Sequence, residues 1–148
     1  MGRPDPGGDT GVSILQIGPA GLVLQGDMAA LRLSPRGPFR FYAPCCGTPI
    51  ATTLTSRTLP FAGLLAGLVT SPERLGPVRA HVNMTGMDGK LTHRHMGRMV
   101  RGIFANAGGA YLRGEARVTP FFDAQTGRPV VEPQVIDKAR KIGIYRDL

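Results

Sequence analysis

Hydrophobic and polar positions alternate along the first half of the chain in short runs, each cut by glycine or proline. Val12–Ile17 (VSILQI) predicts a strand, GPAG (18–21) a turn, and Leu22–Gln25 (LVLQ) a second strand. Met28–Ser34 alternates weakly, and SPRG (34–37) carries proline and glycine where a type I turn takes them. Pro38–Ala43 places Phe39 and Phe41 on one face and Arg40 and Tyr42 on the other, the mark of a half-buried strand. Thr48–Leu54 adds a β-branched run. Together these segments predict an antiparallel meander.

The second half is less regular. Leu59–Val69 (LPFAGLLAGLV) fits a buried strand or a short helix, and Gly63 and Gly67 tip it towards the strand. Val78–Val82 alternates again, and Asn83–Lys90 reads as a loop. Helical spacing appears once, over Thr92–Gly114. Met96, Met99, Val100, Ile103, Phe104, Ala107, Tyr111 and Leu112 recur three and four apart and predict one inward stripe. Thr92 is the expected N-cap and Gly114 the C-cap, while Gly108–Gly109 predicts a kink or an early end. Asp123–Gly127 (DAQTG) reads as a turn with Asp123 as a turn residue, and a short strand closes the fold. The expected class is mainly β with one helix in the C-terminal half (α+β). The expected organisation is a disordered start over 1–11, one domain over 12–136 and a solvated tail over 137–148.

Length and composition agree with this picture. A chain of 148 residues with 42% hydrophobic content can bury one core, and 21 Gly and 13 Pro suit many short strands. Neither a signal-peptide pattern nor an apolar run of membrane-spanning length occurs, which predicts a cytoplasmic protein with no membrane partner. The 18 basic and 10 acidic side chains leave a charge of +8, which permits nucleic-acid, anionic-surface or anionic-substrate partners.

Candidate chemistry is sparse. Cys45 and Cys46 are the only cysteines. Adjacent side chains diverge in extended backbone, so a two-cysteine chelate is disfavoured, and a reducing compartment disfavours a disulfide. Small buried hydrophobes are the expected role, with a metal ligand as the alternative. His81, His93 and His95 fall at no spacing that completes a zinc site, and HRH (93–95) reads as a solvated helix terminus. Arg94, Arg98 and Arg101, three and four apart, would line one helix face. Such a face can track phosphates, although no aromatic residues interleave it for base stacking, and nucleic acid is not the expected partner. G-x-S-x-G, P-loop, G-x-G-x-x-G and H-E-x-x-H patterns are all lacking.

The stretch LRLSPRGPFRFYAPCCGTPIATTL resembles the bacterial group of unknown function related to the glutathione-dependent formaldehyde-activating (GFA) and centromere-protein-V (CENP-V) family. The likeness continues through LPFAGLLAGLV, GPVRAHV and TPFFDAQTGRPVVEP. The resemblance implies stacked antiparallel sheets of the Mss4-like or β-tent kind, zinc held on cysteines, and carbon–sulfur lyase chemistry on glutathione adducts. It implies that Cys46 matches the second cysteine of the family's later C-x-x-C pair, whose first member would fall at Ala43, with Cys45 a displaced substitute. The other ligand cysteines have no counterpart in this sequence. The expectation is therefore an N-terminally truncated or degenerate, non-catalytic relative that has lost its zinc. Its expected partners are a glutathione-like small molecule or a second copy pairing through exposed sheet edges.

Overall fold

The computed structural model describes residues 13–85 and 91–136; the expected disordered start, the 86–90 part of the expected loop and the tail lie outside them. Among the described residues, eight strands and one α-helix are arranged as a six-stranded sheet, a separate two-stranded sheet and the helix. The α+β class expected from the sequence is the one observed.

The meander is the centre of the sheet. Strands β2 (Ala29–Arg32), β3 (Phe39–Tyr42), β4 (Pro49–Thr53) and β5 (Ala62–Leu65) pair in sequence order, each antiparallel to the next. The predicted turn after β2 closes with the Gly37 amide donating to the Ser34 carbonyl at 3.0 Å. Strand β1 (Ile14–Ile17) pairs not with its sequence neighbour but with β5, across Ile14–Leu65 and Ile17–Ala62. The predicted strand over 22–25 does not form. A 3₁₀ turn at Pro19–Gly21 redirects the chain, and Leu22–Gln25 runs extended without a partner strand. Its alternation is nevertheless used: Leu22 and Leu24 pack on the core while Val23 is 82% exposed.

LPFAGLLAGLV splits into β5 and a 3₁₀ turn at Ala66–Leu68. Strand β6 (His81–Thr85) takes only the end of the expected 78–82 run and extends into the expected loop. It pairs antiparallel with β7 (Leu91–Arg94). Helix α1 (Met96–Leu112) follows directly. The last strand, β8 (Gln134–Val135), lies parallel to β2 at the sheet edge, departing from the all-antiparallel expectation.

The core follows from the period-two pattern of β3. Phe39 and Phe41 are both fully buried and pack edge to face with ring centres 6.4 Å apart. Phe121 stacks on Phe41 at 4.7 Å and Phe122 on Phe39 at 5.8 Å, so the segment after the helix closes the phenylalanine cluster. Ala30, Ala51 and Ala62 supply the small partners.

Helix α1 corrects the sequence reading in three respects. Thr92 lies on β7, and the N-cap is His95, in a left-handed conformation (φ 59°) with no side-chain cap bond. The Gly108–Gly109 pair ends nothing. The helix continues to a Schellman close at Gly114 (φ +71°), with Glu115 bonding the Ala110 carbonyl and Gly114 that of Tyr111. The inward face is also narrower than predicted. Ala107 and Ala110 are buried, but Met96, Val100, Phe104, Tyr111 and Leu112 are exposed. Small residues let the helix lie close to the sheet edge, with Gly102 facing Gln16 of β1.

Candidate functional site

The site is built on the hairpin that joins β3 to β4. Pro44 has no amide hydrogen to give the ladder, and Gly47 adopts φ +70°, so the chain reverses tightly between Ala43 and Thr48. The Ala43 amide donates to the Thr48 carbonyl at 2.9 Å. The Ala43 carbonyl accepts from Gly47 at 2.8 Å and more weakly from Cys46 at 3.4 Å. Residues 44–46 therefore form the tip.

This geometry overturns the expectation that the cysteines are buried. Both are exposed. Nor do their side chains diverge, because the backbone between them is a turn rather than a strand. The Cys45 thiol donates to the Cys46 sulfur across 3.6 Å, and the Thr48 hydroxyl lies 3.0 Å from the same sulfur. The Thr48 hydroxyl, its backbone amide and the Cys45 thiol together hold the Cys46 thiol below its ordinary pKa. The hydrogen bond and negative charge of Cys46 push Cys45 the other way, with Asp27 adding to the effect. Cys46 is thereby made the more readily ionised of the two thiols and Cys45 the less.

The two sulfurs are spaced much as two ligands on one tetrahedral zinc, for which bonds of about 2.3 Å give a separation of about 3.8 Å. They would supply half of such a site. Among the described residues, His, Cys, Asp and Glu form no group of three or more that could complete it. His93 lies on β7 and His95 at the helix junction, both exposed.

The arginines do not form the single helix face expected of them. Arg94 belongs to β7, paired opposite His81, and only Arg98 and Arg101 lie on α1, both exposed. The first turn of α1 carries no carboxylate, so its positive end is not offset there. A cleft of about 380 Å³ between the Pro19 turn, Pro60 and the end of α1 is lined on its polar side by the Arg113–Glu115 ion pair (2.7 Å). Its described lining includes no Ser, Thr, Cys, His or Lys side chain.

Asp123 is the turn residue the sequence suggests. Its carboxylate accepts from the Thr126 amide (2.6 Å), the Thr126 hydroxyl (2.8 Å) and the Gln125 amide (3.1 Å). Sequence reasoning missed Arg57, which reaches from the β4–β5 loop to the Ala124 carbonyl at 2.8 Å and ties this turn to the sheet. No local pattern marks that contact.

No helix of the described residues is long and apolar enough to cross a membrane. A model of a family of unknown function, DUF6151, matches residues 7–134. No curated protein and no solved structure matches the chain.

Proposed function

Given that the chain belongs to the DUF6151 family of unknown function, we propose that it is a non-catalytic relative of the zinc-dependent carbon–sulfur lyases of the GFA and CENP-V kind. In this reading it keeps the turn of a metal-binding knuckle without the ligands to fill it. The supporting observation is the Ala43–Thr48 turn itself. Positions 43 and 46, which the resemblance makes a C-x-x-C pair, are folded onto one another by the Cys46 and Gly47 amides, and one of them is a methyl group. Cys45 stands beside Cys46 as a displaced second sulfur. Two thiolates at an exposed tip compete poorly with water and free thiols for zinc.

Metal analysis of protein purified without chelators tests the reading, with well under one zinc per chain expected. Ala43→Cys should then tighten cobalt(II) binding by about tenfold or more, since even groups behind the ligands are worth about 10–100-fold. The thiolate charge-transfer band reports it. Stoichiometric zinc in the native protein that survives dialysis, or an Ala43→Cys variant no tighter than native, would remove the proposal.

A further inference from the structure

The hairpin tip carries an arrangement that a vacated metal site does not require. Two sulfurs lie 3.6 Å apart, both are open to solvent, and a hydroxyl is aimed at only one of them. We propose that Cys45–Cys46 is a peroxide-oxidised dithiol, in which Cys46 is the sulfur oxidised first and Cys45 closes it into a vicinal disulfide. The proposal does not rest on the zinc-lyase kinship and stands if that kinship fails.

The roles follow from the contacts. Cys46 is the acceptor of both side-chain hydrogen bonds at the tip when Thr48 donates, so its lone pairs are held in place and its anion is stabilised. Cys45 has the Cys46 sulfur as its partner and occupies the place of a resolving thiol. In the first step the Cys46 thiolate attacks one peroxide oxygen. The O–O bond breaks, the departing hydroxide takes up the proton that Cys46 shed on ionising to give water, and Cys46 becomes a sulfenic acid. In the second step the Cys45 sulfur attacks that of Cys46. The S–O bond breaks, hydroxide leaves with the Cys45 proton as a second water, and the S–S bond forms. The dithiol gives up two electrons and one peroxide becomes two waters.

Closing the bond needs the sulfurs to approach from 3.6 Å to about 2.05 Å. Both side chains are exposed, so rotation disturbs no packing. Neighbouring Cα atoms are about 3.8 Å apart, below the about 4.4–6.8 Å of ordinary disulfides. The eight-membered ring is consequently strained and readily reduced by cellular thiols, which suits a reversible mark rather than a structural bridge.

The test treats the full-length reduced protein with hydrogen peroxide and follows intact mass and free thiols. Native protein should lose the mass of two hydrogens and both thiols while remaining a single chain, and dithiothreitol should restore it. Cys45→Ser should stop at a sulfenic acid that dimedone traps on residue 46. Cys46→Ser should oxidise about tenfold or more slowly, at the rate of an unassisted surface thiol. Thr48→Val, which removes neither sulfur, should slow the first step several-fold without changing the product. An intermolecular disulfide as the main product would overturn the proposal. So would dimedone labelling of residue 45 in Cys46→Ser as fast as residue 46 labels in Cys45→Ser. The urea-unfolded chain serves as the control, and an equal rate there would remove any role for the turn.

Discussion

Thr53 is 1% exposed on β4, and its hydroxyl has no hydrogen-bond partner among the described residues. Burying a hydroxyl without a partner costs free energy that a methyl of the same shape does not. Thr53→Val should therefore stabilise the fold by about 1 kcal/mol, read in a thermal melt as a rise of about 2–4 °C. An unchanged or lowered Tm would mean that the hydroxyl is satisfied in solution. Arg32 on β2, two strands away, also buries an unpartnered atom, its Nε, but the rest of its head group is engaged. Its guanidinium lies 4.3 Å over the Phe39 ring and donates to the Pro35 carbonyl at 2.6 Å, so a charged side chain caps the aromatic cluster.

At the scale of the element, the junction of β7 and α1 is the point of strain. His95 holds φ 59°, costly for a residue with a Cβ, and its imidazole does not cap the helix it begins. His95→Gly should relieve the conformation and stabilise by about 1 kcal/mol, detectable as a shift of the urea midpoint at unchanged slope. Loss of stability would show that the imidazole contributes more than its backbone costs. The same junction shows which elements the sequence made legible. Phe39–Tyr42 could be read because period two, a preceding proline-glycine turn and burial all agreed. The end of α1 could be read because only glycine suits its closing residue. Its start could not, since Thr92 satisfies the local cap rule and is taken instead by pairing with β6, a tertiary effect. Leu22–Gln25 has the alternation of a strand but pairs with none, and its Leu22 and Leu24 pack on the core instead. The cysteines mislead for a local reason: their residue type suggests burial, whereas Pro44 and Gly47 turn the backbone outwards.

For the whole molecule, the sheet depends on a clamp between segments far apart in sequence. Arg57 bonds the 123–127 turn, the Tyr111 hydroxyl donates to the Thr58 carbonyl, and Phe121 and Phe122 enter the core beside them. The Thr126 amide and hydroxyl, the Gln125 amide and the Arg57 charge hold the Asp123 carboxyl below the usual carboxylate range. A depressed acid contributes stability that is present in full above its unfolded pKa and is lost as pH falls through the folded one. Native protein should therefore melt above Asp123→Asn at neutral pH, and the gap should narrow below about pH 4. A gap independent of pH would place its origin in the turn's shape rather than its charge.

The strand order β1-β5-β4-β3-β2-β8 also sets a timetable for the nascent chain. As residues emerge from the ribosome, β2, β3, β4 and β5 can zip together in turn, each meeting a neighbour already made. The first strand has no such neighbour and must wait until Ala62–Leu65 emerges. The far edge stays bare until Gln134–Val135 comes out to lie along β2, and Phe121 and Phe122 arrive only shortly before. Until then Phe39 and Phe41 lack the cover of Phe122 and Phe121, so between β5 and those residues the growing chain holds an open aromatic face exposed to non-native contacts.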